Sequence, residues 1–227
     1  MTTQPLKIVI AGAGSIGCYV GGVLASGNAD VHFFARPRIA NDISNKGMHL
    51  SDWTGLDIRL STQHFSVSTE PSVLADADLI LVCVKSKDTI EMAETIKDSG
   101  NTKAIIYSLQ NGVSNCQTIQ NILPQHTVLP VMVPYNVVYT AGSADQAAHF
   151  HCGTEGDLYC QQDQKAEPLK QAAAQAKLGF QLKQDMPSIL WGKLLLNLNN
   201  PVNALAGIPL KQQLENRGYR KIYVQCL

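Results

Sequence analysis

Runs of one charge are missing from this sequence. Its 227 residues hold 18 basic and 18 acidic side chains, interspersed along the chain. A counterion-releasing grip on nucleic acid and a polybasic membrane anchor both lose their support. No C-x-x-C pair occurs, and the histidines are not clustered at zinc spacing. The six cysteines (Cys18, Cys83, Cys116, Cys152, Cys160 and Cys226) are scattered, which leaves no metal site to expect and reads as reduced thiols. Internal repeats and low-complexity tracts are absent. The uncharged stretch from Ile8 to Gly27 lacks the basic n-region and compact apolar core of a signal peptide. With six glycines in it, it does not read as a membrane span either. The expectation is a cytoplasmic protein whose partners are small molecules or protein.

What is present is 45% hydrophobic and 16% charged residues, enough for one good core and part of a second. Lys7 to Ala11 is a short apolar run ending in glycines, and Ser15 to Ser26 has helical length, so the chain opens as strand, tight turn, helix. Further strands are expected at Asp30 to Ala35, Leu56 to Leu60, Ala77 to Val84, Ala104 to Leu109 and Val128 to Val133. Continuous β-branched runs of this kind suit strands covered on both faces. Helices at Thr89 to Lys97 and Ser114 to Ile122 complete a βαβ alternation. The fold class that follows is α/β, a Rossmann-type doubly wound, mostly parallel sheet. Tyr139 to Gln161 reads as an antiparallel hairpin at the edge of that sheet. A helix over Glu167 to Lys177 and a strand over Phe180 to Lys183 end the first domain, expected at 1–186. Pro187 marks a helix start. Residues 187–227 read as the start of an all-helical second domain with two segments, Ser188 to about Ala206 and Leu210 to Leu227.

Gly12, Ala13, Gly14, Ser15, Ile16 and Gly17 fit G-x-G-x-x-G between a strand and a helix. Gly12 permits the tight turn, Gly14 lets backbone approach a pyrophosphate, and Gly17 allows close packing of helix on strand. The alternative is a glycine-rich turn without a ligand. At the end of the second strand, where an acidic residue selects NAD, the sequence reads Phe34-Ala35-Arg36-Pro37-Arg38. Arg36 there favours a 2′-phosphate, hence NADPH over NADH, against the alternative of a solvated arginine pair. Lys85 in Val84-Lys85-Ser86-Lys87-Asp88 and Asn111 in Gln110-Asn111-Gly112 leave the same edge of the sheet. Each also reads as an ordinary loop lysine or turn.

Lys193, Asn197 and Asn200 stand at i, i+4 and i+7, one face of a helix otherwise rich in leucine. Buried amides and an ammonium need partners, which a ligand with a carboxylate and a carbonyl would supply; a solvent-facing polar stripe is the alternative. Pro201 frees the carbonyl of Asn197 and is expected to kink the helix.

KIVIAGAGSIG, Arg36, VKSKDT, LQNGV and WGKLLLNLNNPVNAL, in this order over essentially the whole chain, resemble the ketopantoate reductase (2-dehydropantoate 2-reductase) family. The resemblance implies NADPH-dependent reduction of a 2-keto acid to a 2-hydroxy acid on the way to pantothenate. By position it implies Lys193 as general acid, Asn197 and Asn200 as substrate-binding groups, Asn111 in contact with cofactor and substrate, and Asn136 at the nicotinamide. Ser114 stands where a glycine is usual, and Cys116 and Gln117 replace commonly acidic positions. The family also places a serine and a glutamate on later helices, beyond Leu227, so a shortened helical domain is expected. Apolar Leu210, Leu214, Ile222, Tyr223, Val224 and Leu227 have little left to pack against, so either a partner subunit covers this face, with a homodimer through these helices as one arrangement, or the sequence is a shortened version of a longer protein. The rival readings are a catalytically impaired NADPH-binding protein and a reductase of another 2-keto acid.

Overall fold

The computed structural model describes residues 6–227, which divide into two compact units, one reaching to Gln184 and one over Asp185–Leu227. In the first, β1 (Lys7–Ala11) turns into α1 (Ser15–Ser26), and β2 (Asp30–Phe34) is followed by α2 (Pro37–Lys46). The strands β3 (Met48–Asp52), β4 (Asp57–Leu60) and β5 (Ser66–Ser68) come next. The alternation then resumes with β6 (Leu79–Val82), α3 (Thr89–Ser99), β7 (Ile105–Ser108), α4 (Asn115–Ile122) and β8 (Thr127–Met132). The strands β9 (Val137–Thr140), β10 (Ala148–Cys152) and β11 (Leu158–Gln161), helix α5 (Glu167–Gln175) and strand β12 (Phe180–Lys183) close the unit.

Eight strands form the main sheet in the order β12-β11-β8-β7-β6-β1-β2-β5. All neighbours run parallel except β11 against β8. From β1 the chain winds outward through β2 to β5, then returns to β6 on the other side of β1. The carboxyl ends of β1 and β6 therefore flank a topological switch point, the place where such sheets bind ligands. The continuous apolar runs follow from this position: Ile8, Val9, Ile10 and Ala11 are all fully buried. Ile8 and Ile10 join the core on one face of the sheet, while Val9 and Ala11 join Ala93 of α3 and Ile119 of α4 in the other.

A second sheet, in the order β4-β3-β10-β9, covers the outer side of α1. A Cβ on Gly21 would fall 2.7 Å from Ile10, and one on Gly22 would fall 2.7 Å from Leu50 of β3. Helix α1 thus lies between two sheets, which accounts for its uncharged sequence: a helix apolar all round must be covered all round. The hairpin expected at the edge of the main sheet is corrected accordingly. Strands β9 and β10 do pair antiparallel, but in the second sheet, where β10 runs parallel to β3. Ala148, Phe150 and Cys152 are buried there, supplying the cover α1 needs. Strand β11 instead enters the main sheet between β8 and β12. The expected strand at Leu56 to Leu60 is β4 of the second sheet.

The second unit holds α6 (Met186–Asn197), α7 (Asn199–Ala206), α8 (Leu210–Glu215) and α9 (Arg217–Cys226). Of the two expected segments, the first is broken near the expected kink at Pro201, and the second is broken as well. Pro187 lies in the first turn of α6, and the Asp185 side chain caps it by accepting the Ser188 N–H at 3.1 Å. Leu198 separates α6 from α7, which puts Pro201 in the first turn of α7, where its missing N–H costs no helical bond. The second break is made by Asn216, whose side chain accepts the Gly218 N–H at 2.8 Å and starts α9. Trp191, Leu196 and Leu205 are exposed. No helix among the described residues is long and apolar enough to cross a membrane.

Candidate functional site

A cavity of about 670 Å³ opens at the switch point, wholly within the first unit. Its floor is the turn from Gly12 to Ser15, one wall is Phe34 to Ile39 after β2, and the other runs from Cys83 to Lys85 after β6. The glycines divide the work. Gly12 sits at φ +100°, and a Cβ there would lie 2.9 Å from the Val84 nitrogen, so only glycine makes this turn beside β6. A Cβ on Gly17 would lie 2.7 Å from the Gly12 carbonyl oxygen. At Gly14 a Cβ would meet nothing within 4 Å: this residue faces open space. It is also the N-cap of α1, no side chain caps that helix, and the Cys18 N–H bonds the Gly14 carbonyl at 2.8 Å. The first-turn N–H groups are thereby left for an anion.

The expected cofactor residues Gly12, Ala13, Gly14, Ser15, Arg36 and Lys85 all line this cavity, with Ile16 and Gly17 behind it in α1. Arg38 and Lys87 join them, opposed by Asp88 and Glu91, so four cations face two carboxylates. Arg36 donates from Nη2 to Asp88 Oδ2 at 3.1 Å. Its side chain is 77% exposed and that of Asp88 19%, so the pair is screened by water from the arginine side. Cys83 is a packing group, since burial pushes its thiol up to about 12.

Behind the loops lies a polar network that sequence reasoning missed. Gln110 donates to the Val84 carbonyl at 3.0 Å and to the Thr89 hydroxyl at 2.7 Å. Thr89 donates to Asn115 Oδ1 at 3.2 Å, and Asn115 Nδ2 donates to Ser86 Oγ at 2.9 Å and to the Asn111 carbonyl at 2.6 Å. Thr89, Gln110 and Asn115 are buried. The bonds tie the loop after β6 to the loop after β7 and fix the backbone of Asn111, whose side chain is exposed. The common edge of β6 and β7 is the signal that finds such residues; spacing alone does not. Replacing Asn115 with alanine leaves buried groups unpaired, at a cost of about 1–3 kcal/mol. Calorimetry is expected to read this as a melting point lower by roughly 2–10 °C; an unchanged value would mean the network does not hold these loops.

Asn136 does not line this cavity. It lies between β8 and β9, its N–H donating to Thr154 Oγ1 at 2.8 Å and its carbonyl accepting the Gly153 N–H at 2.9 Å. In the second unit Lys193 and Asn197 are half-buried on α6, and burial pulls the Lys193 ammonium below the usual lysine range. Asn200 belongs to α7, not to a continuous face with Lys193, but its Nδ2 reaches Asn197 Oδ1 at 3.4 Å. The buried amide of the series is Asn199, which accepts from Gln213 Nε2 at 2.8 Å, a structural role the helical spacing does not reveal.

A family profile described as Ketopantoate reductase PanE/ApbA matches residues 8–162. The chain belongs to this family. Ketopantoate reductases of the PanE/ApbA family are nicotinamide-dependent reductases, which accords with a cavity built on a G-x-G-x-x-G turn. A 2-dehydropantoate 2-reductase of Halobacterium salinarum is 29% identical over 205 residues, covering 89% of this chain. The chain spans 66% of the length of that relative. A PanE/ApbA family ketopantoate reductase from Ralstonia eutropha JMP134 superposes with a TM-score of 0.82 at 29% identity, over 96% of this chain and 70% of that one. A D-mandelate dehydrogenase solved with NADH and anilino(oxo)acetate shares the fold at 18% identity, with a TM-score of 0.76 over 96% of this chain and 70% of that one.

Proposed function

We propose that the chain serves NADPH-dependent reduction of a 2-keto acid to the 2-hydroxy acid, with 2-dehydropantoate, giving pantoate, as the favoured substrate. The observation that carries this reading is the cavity at the switch point, where an uncapped helix N-terminus and a surplus of cations surround the open space at Gly14. These residues fit a phosphorylated dinucleotide. Gly14 and the first-turn N–H groups of α1 would hold the pyrophosphate. Arg36, itself exposed, would leave its half-buried partner Asp88 for a 2′-phosphate, a bidentate and charge-assisted contact. Lys85 would add a contact from the cavity wall; Asn111 and Asn136, which do not line the cavity, would reach only a part of the cofactor extending beyond it. When bound, NADPH supplies a hydride for the carbonyl carbon.

The proton is the protein's part. Lys193 Nζ stabilises the developing alkoxide and donates a proton to the oxygen, a transfer favoured by the lowered basicity that burial gives this amine. Asn197 and Asn200, in the same unit as Lys193, would hold the keto acid through amide hydrogen bonds to its carboxylate and carbonyl oxygens.

The test is to titrate NADPH and NADH and to follow NADPH consumption with 2-dehydropantoate beside a panel of other 2-keto acids. Preferred binding of NADPH with 2-dehydropantoate the best substrate is the expected result. Arg36→Ala is expected to lower the NADPH preference about 10- to 100-fold. Equal affinity of the unaltered protein for both cofactors would overturn the cofactor choice. A different best substrate would move the activity to another 2-keto acid, and NADPH binding without any turnover would leave a nucleotide-binding protein.

A further inference from the structure

The cofactor cavity has a second arginine, and its surroundings differ from those of Arg36. Arg36 is tied to Asp88. Arg38, in the first turn of α2, makes no ion pair among the described residues. Its guanidinium carbon lies 5.7 Å from the centroid of the Tyr139 ring, a cation–π distance. Tyr139 comes from β9 of the second sheet, yet it also lines the cavity.

The ring is fixed from two directions. It stacks on Phe150 with centroids 5.2 Å apart and planes 26° from parallel, and Phe150 is fully buried in the core. Its hydroxyl donates to Asp42 Oδ2 on α2. Burial, with that bond to Asp42, pushes the phenol up to about 12, so it stays a donor near neutral pH. A long, exposed arginine loses rotamer freedom when it grips an anion. A rigid ring beneath it removes part of that loss in advance, without neutralising the charge.

We infer that Arg38, positioned by Tyr139 and Asp42, is a specificity-determining residue that binds the ribose phosphate distinguishing a 2′-phosphorylated dinucleotide from its unphosphorylated counterpart. The inference rests on the NADPH reading and deepens it. Arg36 must exchange Asp88 for the phosphate, whereas Arg38 carries an uncommitted charge at the same wall. The second sheet thereby takes part in cofactor choice through Tyr139 alone, at a distance of about a hundred residues along the chain from Arg38. Tyr139 and Asp42 are positioning residues, and Arg38 makes the contact.

The experiment measures dissociation constants of NADPH, NADH, adenosine 2′,5′-bisphosphate and adenosine 5′-monophosphate for the full chain and for Arg38→Ala, Arg38→Lys, Tyr139→Phe and Tyr139→Leu. Arg38→Ala is expected to weaken NADPH and the bisphosphate about tenfold or more while NADH and the monophosphate move less than twofold; Arg38→Lys, which keeps charge but loses the fork, should recover part of the loss. Tyr139→Leu should reproduce a several-fold selective loss, and Tyr139→Phe, which keeps the ring but not the bond to Asp42, a smaller one. Arg38 is exposed, so its variants should retain the fold, and an unchanged melting point checks this. An NADPH to NADH ratio within twofold of the unaltered protein in Arg38→Ala would overturn the assignment while the NADPH reading stood. Equal loss of both cofactors in Tyr139→Leu would overturn the positioning role. An unaltered protein without NADPH preference would overturn both the assignment and the reading beneath it.

Discussion

Replacing Lys193 with alanine is expected to lower the rate of 2-keto acid reduction by roughly 100-fold or more and to leave NADPH binding nearly intact. The physical ground is the separation of tasks between the two units. The glycine turn, Arg36 and the cation-lined cavity lie in the first, while Lys193 stands on α6 in the second. On the proposed mechanism, removing the ammonium would delete the proton donor without touching a phosphate contact. The pH profile gives an independent check. The donor must be protonated to act, and burial lowers the Lys193 pKa from the ordinary lysine value. The rate is therefore expected to fall as pH rises through that lowered pKa, and this alkaline limb should vanish in the alanine variant. Near-normal turnover in Lys193→Ala would remove the residue from the catalytic role, and an unchanged alkaline limb would assign that titration to another group.

The second large effect contrasts two glycines of one motif. Gly14 has extended backbone (φ −89°, ψ −166°) that any residue adopts, and a Cβ there meets nothing within 4 Å. Gly14→Val is therefore expected to keep the melting point within about 2 °C and to reduce NADPH affinity on the order of 100-fold, because the side chain fills the space where the pyrophosphate would approach the backbone. Gly17→Val should behave in the opposite order. Its Cβ would lie 2.7 Å from the Gly12 carbonyl oxygen and 2.9 Å from Ile10, an overpacking that costs about 1–3 kcal/mol and lowers the melting point by roughly 2–10 °C. Calorimetry and cofactor titration on both variants separate the cases. A Gly14→Val protein that binds NADPH normally would place the pyrophosphate elsewhere.

The first βαβ unit was legible in the sequence because local signals coincide there. The apolar run over Lys7–Ala11, the glycine turn and the helix over Ser15–Ser26 stand at the expected residues. A turn at positive φ and a helix packed tightly on its strand each demand glycine, so the motif records backbone geometry directly. Arg36 and Lys85 were legible for a related reason: they follow the carboxyl ends of parallel strands, and those ends meet at one edge whatever the loops between them do.

Other features depend on which distant segments meet. Strand β5 has only three residues, Ser66–Ser68, too few for a period, and it is defined by its parallel partner β2. The division of Tyr139 to Gln161 between two sheets was settled by the need to cover the outer side of α1. The break near Pro201 was itself expected from the sequence, as a kink; its place, at Leu198, puts Asn200 on a separate helix. Sequence alone determined the doubly wound fold, the G-x-G-x-x-G turn and the candidate residues that border it, since each is written in neighbouring residues whose spacing is set by local backbone geometry. Tertiary structure decided that Asp88 pairs with Arg36, that Tyr139 lies under Arg38 and that Asn115 ties two loops together, because hydrogen bonds and cation–π contacts act over a few ångströms between residues that the chain order leaves far apart.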